Sequence, residues 1–504
     1  MKRLVLLTSM IVAFAAATLA TTPSAQAGLF GGGKAASPSP SPSASAMPAA
    51  TPEPPDIAIP RLQAKLKANP NDQAAMTELA GQFLGINRPD YTVQLTQHLL
   101  QMGDKTAQVY YLEGYAMERL GRTDVAISDL EQAENLDPSN SSVLSNLADI
   151  YLRVNRAADA ERIAKRAVTL NKDDAQSYAT YGAVYAAEQK FDDARTQFEK
   201  AASLSPKDPH PIFQIAQTYA QQNNIPMALQ TLARALAIDP SNVQALVFKA
   251  DLYAKQHDDA KALPAYDDAV VAAPDENQKV SILVRKAQYL VDEKKPSDAE
   301  SVFAQMIAQY PKNAAGHAAY GDFLASQKNM TKAQQEWQAA LAIDKDQPEA
   351  LLRMAQVAMS SNHMTDAIGY LKHLTQVAPD AQGYAMLGQA YSFTHDYSHS
   401  KDACSKSFQI DQQPTTLGCI AGADFELKNY KEASRIFDAL DKGARGFLDQ
   451  NPQLLYMAGK SYGATNQKQK GIAAYKRLLG EMRKGTKDYA QVQKAIADLS
   501  KSKH

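Results

Sequence analysis

The sequence predicts an all-α solenoid of paired helices, and three observations carry that expectation. A residue pattern returns every 34 residues, a period that marks stacked supersecondary units. Inside each copy the apolar residues fall at helical spacing. The chain is also rich in Ala, Gln, Leu and Tyr, with 53 Lys and Arg against 54 Asp and Glu. By length alone, 504 residues would suggest about three domains. The repeat overrides that prior.

The stretch "YGAVYAAEQKFDDARTQFEKAASLSP" (181–206) shows one copy. Tyr181, Gly182, Tyr185, Ala194, Phe198 and Ala201 reappear one period earlier as Leu147, Ala148, Tyr151, Ala160, Ala164 and Ala167. One period later they reappear as Ile215, Ala216, Tyr219, Ala228, Leu232 and Ala235, with Pro240 matching Pro206. Tyr178, Tyr181, Gly182 and Tyr185 share one helix face at i, i+3, i+4, i+7. Ala194, Phe198, Ala201 and Leu204 share a face on a second helix. Gly182 and Ala194 are small where these helices must approach closely, and the rings fill the adjacent gaps. Ser205-Pro206 ends the second helix, because the residue before a proline is driven out of the helical region. Neither helix buries its apolar face alone. Stacking on neighbours buries it, so the pattern must recur.

The phase of these residues resembles the tetratricopeptide repeat (TPR) family. Within a 34-residue unit that family favours Gly or Ala at position 8, Tyr at 11, Ala at 20, an aromatic at 24 and Pro at 32. Units starting at Ala107, Ser141, Ala175, Pro209 and Val243 follow one another without a gap. Three extra residues near Pro274 shift the register, and units at Val280, Ala314 and Pro348 continue. Position 8 reads Gly114, Ala148, Gly182, Ala216, Ala250, Ala287, Gly321 and Ala355; position 20 is alanine in all eight. Trp337, at position 24, belongs to the core. The ends are degenerate. The Gln73 unit has Thr92 at position 20, the Ala381 unit has Ser400 and Cys404 in its second helix, and the Pro414 unit has Asp424 for the tyrosine. A last unit starts at Pro452. The resemblance therefore implies a right-handed α-solenoid, or superhelix, of about twelve helix-turn-helix units over residues 61–487. A capping helix follows at 488–504.

The N-terminus reads as an export signal. Lys2-Arg3 precedes an apolar run from Leu4 to Ala20, and Ala25-Gln26-Ala27 offers a small-x-small cleavage site before Gly28. Residues 1–27 are thus a signal peptide, the alternative being a retained anchor at the short limit for a spanning helix. After cleavage no integral membrane span is expected. The absence of a cysteine near the cut speaks against a lipid anchor there. Residues 28–60, with "SPSPSPSASAMPAATPEPP", offer little to bury and read as a disordered Pro/Ser/Ala-rich spacer. The expected location is periplasmic, extracellular or cell-envelope.

The repeats leave no room for a catalytic domain, and no phosphate loop, nucleophile elbow or zinc-protease motif occurs. No enzyme activity, cofactor or metal is expected; His395 and His399, near Cys404, read as a solvated turn. A net charge of −1 gives no footprint for nucleic acid. What remains is surface. In the family, first-helix positions 2, 5, 9, 12 and 13 line a concave groove. Position 9 here includes Tyr115, Asp149, Gln217, Asp251, Gln288, Asp322, Gln356 and Gln389, acids and amides able to hold a peptide backbone. The bland alternative is a groove that is polar because it faces water. Position 5 includes Tyr111 and Phe213 but no lysine, so the family's carboxylate clamp is absent. The resemblance implies a scaffold for a protein or peptide partner, in assembly of an envelope, secretion or pilus-type complex. A rival reading is a module that captures polysaccharide or a precursor, stacking sugars on several groove tyrosines and on Phe213, Phe393 and Phe425. The two cysteines, Cys404 and Cys419, flank the turn at Pro414. Either a disulfide across the turn or two buried thiols fits their spacing.

Overall fold

The computed structural model describes residues 53–444 and 446–501. Among them are twenty-six α-helices and no strand. They fall into two compact blocks, one running to Ala273 and the other starting at Pro274. The residues expected to form a signal peptide, and most of those expected to form the spacer, lie outside the described residues.

The N-terminal block opens with helix Pro55–Ala68 and continues with six helix pairs, from Gln73–Gly85 with Pro89–Gln101 to Val243–Lys255 with Asp259–Ala272. The C-terminal block also holds six pairs. They run from Glu276–Asp292 with Pro296–Gln309 to Pro452–Ala464 with Lys468–Glu481, and helix Lys487–Lys501 closes the block. In each block the helices of a pair pack on each other, and each pair stacks on the next. The fold is an all-α repeat solenoid, and its twelve pairs match the expected units. The three extra residues appear as an added turn: the helix expected at Val280 begins at Glu276.

One boundary differs. The spacer was expected to reach residue 60, yet the chain is helical from Pro55. Pro55 sits in the first helical turn, where a missing N–H costs nothing. Ala58 and Leu62 are fully buried against Ala75 and Leu79, which outweighs the proline content of the segment.

Two devices fix each pair. The first is the close approach at position 8. A Cβ added to Gly182 would lie 2.6 Å from the Phe198 ring, and one on Gly321 would lie 2.5 Å from Trp337 Nε1. In these two pairs the space is taken by the large residue at position 24 of the facing helix rather than by Ala194, whereas the repeats with Tyr266 and Phe303 at position 24 keep an alanine, Ala250 and Ala287, at position 8. Where position 20 departs from alanine, its hydroxyl is absorbed. Thr92 Oγ1 donates to the Ala80 carbonyl at 3.0 Å, and Ser400 Oγ donates to that of Gly388 at 2.8 Å.

The second device is the turn between the helices, which the repeat pattern did not reveal. Position 15 is left-handed in every pair: eleven non-glycine residues from Asn87 to Asn466 with φ between 55° and 64°, and Gly121 at 74°. The next N–H then reaches back five residues, as from Lys190 to the Tyr185 carbonyl at 2.8 Å and from Gln467 to that of Tyr462 at 2.8 Å. This is a Schellman closure, which satisfies the last carbonyls of the first helix. Asparagine tolerates the conformation and stands at Asn87, Asn155, Asn223, Asn362 and Asn466. Lys328 adopts it at the cost of its Cβ. Lys328→Val is expected to lower stability by about 1–2 kcal/mol and Lys328→Gly to leave it unchanged or raise it by up to about 1 kcal/mol. Denaturant midpoints measure both, and equal values for the two variants would contradict the strain assigned to this turn.

Candidate partner-binding surface

Within each block consecutive first helices touch, as Gln73–Gly85 meets Ala107–Arg119 and Ser141–Arg153 meets Ala175–Ala187. Those contacts decide which first-helix residues stay on the surface. Position 5 is drawn into them. Ser145, Ala179 and Phe213 are buried, and the Thr180 hydroxyl donates to Ser145 Oγ at 2.8 Å across the joint. Phe213 is 5% exposed and lies edge-on to Phe248. It is core, not groove. Among the phenylalanines proposed for sugar stacking, Phe425 is buried as well.

Position 9 divides. Asp251, 6% exposed, accepts a hydrogen bond from the Tyr266 hydroxyl at 2.8 Å and is also removed from the surface. Asp322 is half-buried and committed. Both of its oxygens take the Arg353 guanidinium at 2.9 Å, and Oδ1 also takes Trp337 Nε1 at 3.1 Å. Arg353 further donates to Gln356 at 3.2 Å. This four-residue network crosses from one repeat to the next, and the bidentate Asp322–Arg353 pair in it is specific in geometry. Asp149, Gln288 and Gln389 are exposed and Gln217 is half-buried. Gln288 donates to Asp292 at 2.9 Å. Tyr111 and Tyr115 stack nearly parallel with centroids 6.2 Å apart; Asn146 donates to the first hydroxyl and Arg119 to the second.

The position-9 residues named from the sequence begin at Tyr115, yet the structure opens a cavity of about 660 Å³ in the Gln73 repeat before it. Its walls are the touching first helices Gln73–Gly85 and Ala107–Arg119. Gln73, Thr77, Glu78, Gln82, Asp104 and Gln108 supply amides, a hydroxyl and two carboxyls, and Gly81 leaves room between them. Position 9 is Gly81 here. A list of side chains at that position shows no polar group, so the vacancy was not legible as a site. Arg61 ties Glu78 to Glu53, each at 2.7 Å, anchoring the leading helix beside this wall.

His395 is the left-handed residue of its turn and is exposed; His399 pairs with Asp396 at 2.7 Å. Among the described residues no group of three or more His, Cys, Asp or Glu is arranged to hold a metal. Cys404 and Cys419 are joined in a disulfide with Cα atoms 6.2 Å apart. Beside it, Asp424, 1% exposed, accepts from Lys401 at 2.8 Å and from Asn429 at 3.0 Å. The same two helices, Tyr397–Ile410 and Pro414–Glu426, are thus joined covalently and ionically where the aromatic pattern lapses.

Tetratricopeptide-repeat families match residues 119–183, 185–236 and 213–277. The middle TPR-like domain of cilia and flagella-associated protein 70 matches residues 287–410. The chain is a tetratricopeptide repeat protein. No curated protein matches the sequence. Among solved structures, a thermophilic TPR protein of Thermus thermophilus is 22% identical, covering 33% of this chain and 91% of its own, with a TM-score of 0.31. The Cut9–Hcn1 hetero-tetramer of APC/C is 14% identical over 88% of this TPR chain and 93% of its own, at 0.33. The pilF protein of Pseudomonas aeruginosa is 18% identical over 44% and 98%, also at 0.33. Nothing about this chain's partners follows from scores this low.

The disulfide closes a sequence separation of 15 residues, so reducing it should cost around 3 kcal/mol in the chain-entropy account. Thiol titration of denatured, unreduced protein should find no reactive thiol; two per chain would contradict the bridge. Lys401→Met, which leaves Asp424 buried with Asn429 alone, should cost roughly 2–3 kcal/mol. A neutral result would show the ion pair to be dispensable.

Proposed function

We propose that this TPR protein is a non-catalytic scaffold of the cell envelope that holds a polypeptide partner against its first helices. TPR repeats in general suggest protein–protein interaction. The observation that carries the reading to a surface is the open cavity where Gln73–Gly85 meets Asp104 and Gln108, lined by amides, a hydroxyl and the carboxyls of Glu78 and Asp104. Gln73, Gln82 and Gln108 can each donate to a carbonyl and accept from an N–H, which is what an extended backbone offers. The stacked Tyr111 and Tyr115 stand on the same helix as Gln108 and add a flat apolar surface beside them. Exposed Gln288 and Gln389 repeat the amide chemistry in the C-terminal block.

Export is supported by the basic start, apolar run and Ala25-Gln26-Ala27 of the sequence. The Cys404–Cys419 disulfide supports it too, since disulfides persist in oxidising compartments. Within that setting the scaffold serves assembly of an envelope, secretion or pilus-type complex. The capture of polysaccharide is the weaker reading, because two of the three phenylalanines proposed for stacking, Phe213 and Phe425, are core.

Affinity capture from envelope extract, with wild type and a Gln82→Ala/Gln108→Ala/Tyr115→Ala variant, tests the proposal. A stoichiometric polypeptide should be retained by wild type and reduced at least about tenfold by the variant, which is about 1.4 kcal/mol. Gln230→Ala, on an exposed second-helix position, should retain it fully. Retention of glycan without polypeptide, or equal loss in the Gln230 variant, would overturn the reading.

A further inference from the structure

Glu113 occupies position 7 of its repeat, where the next three repeats carry Leu147, Tyr181 and Ile215. It is 5% exposed, on helix Ala107–Arg119, and Asp129 faces it from Thr123–Leu136 of the same repeat. Glu113 Oε2 and Asp129 Oδ2 are both enclosed and both lack a hydrogen-bond partner. Their surroundings include the fully buried Ala126 and Leu130. An ionised carboxylate in such a place carries a desolvation cost that nothing nearby returns.

The charged groups on the surrounding helices are engaged elsewhere or face water. On the same helix Glu118 pairs with Arg153, while Arg119 serves Tyr115 and Asn87. On Thr123–Leu136, Asp124 is exposed, Glu131 accepts from Tyr151 and Glu134 pairs with Arg166. From Pro89–Gln101 comes Gln97, a neutral hydrogen-bond partner of Glu113; Asp90 pairs with Arg88, and His98 is exposed. From Gln73–Gly85 the one charge is Glu78, held by Arg61. Among the described residues no lysine or arginine pairs with Glu113 or Asp129.

We propose that Glu113 and Asp129 make a proton-dependent joint between the two helices of the second repeat, firm in acid and loosened toward neutral pH. Burial, and then the neighbouring Asp129, push the Glu113 carboxyl up to about 7, and burial pushes Asp129 up to about 6. Both folded values exceed the ordinary ones of 4.5 and 3.8. The stabilisation is therefore complete below the ordinary values and falls as pH rises through the window up to about 7. The joint lies under a wall of the cavity, because Ala107–Arg119 carries both Glu113 and Gln108. Acidity of the surroundings thus sets how firmly that wall is held. This consequence rests on the proposed partner site; the joint itself does not.

Hydrogen exchange of the full chain at pH 5 and pH 8, corrected for intrinsic rates, tests the joint without a partner. In wild type, local opening of residues 89–136 should become at least about tenfold more favourable at pH 8, while residues 175–204 stay unchanged. Glu113→Gln/Asp129→Asn should abolish that difference. Glu113→Leu, restoring the side chain of the next repeat, serves if the amide pair leaves the region unprotected, and should cut the difference to about threefold or less. A flat or reversed wild type, an equal change in residues 175–204, or an undiminished change in the variants would overturn the proposal. Loss of partner capture with the exchange difference intact would overturn the proposed function instead.

Discussion

The fold depends on the two helices of each pair coming close enough that position 8 of the first carries no more than a methyl group. At Gly182, Gly321 and Gly459 the space a Cβ would need is already filled by Phe198, Trp337 and Tyr475 of the facing helix. The large residue supplies buried area, and the glycine supplies the approach that lets it be buried. Helix propensity opposes glycine at a mid-helix position by about 1 kcal/mol. Its presence there shows that the packing gain is larger. Once the pair is locked, the left-handed residue at position 15 and its five-residue closure follow as the shortest way to reverse the chain.

The same contact determines what is left for function. Apolar residues go inward, and consecutive first helices draw position 5 of several repeats into their joints. Part of position 9 is then consumed by networks such as Asp322, Arg353 and Trp337. The remaining free amides and stacked tyrosines on the first helices gain their meaning by this subtraction. In the C-terminal block one hydrophobic cluster includes Ala403 and another takes over from Ala421. The helices between them, Tyr397–Ile410 and Pro414–Glu426, are tied by the disulfide and the part-buried Lys401–Asp424 pair in addition to their packing.

Much of this was legible in the sequence. The 34-residue phase located the helix pairs and Trp337 as core, because those depend on contacts within one repeat. Burial of Phe213 was not legible, since it depends on how neighbouring first helices meet, and that of Asp251 was not, since it depends on the Tyr266 hydroxyl reaching it from the second helix of its own repeat. The helix at Pro55 was hidden by its prolines. The turn was visible in part: asparagine recurs at position 15, but Gln189, Lys294 and Lys328 adopt the same conformation without that signal. The cavity at Gly81 was missed because it consists of an absent side chain.

The most direct measurement is a double-mutant cycle joining Gly182 to Phe198 in the full-length protein, read from denaturant unfolding. If the close contact is what excludes a Cβ, Gly182→Ala alone should destabilise by roughly 1–3 kcal/mol. In a Phe198→Leu background the same change should become neutral or stabilising, a coupling of at least about 1 kcal/mol. An equal cost of Gly182→Ala in both backgrounds would show that the contact does not govern the pair.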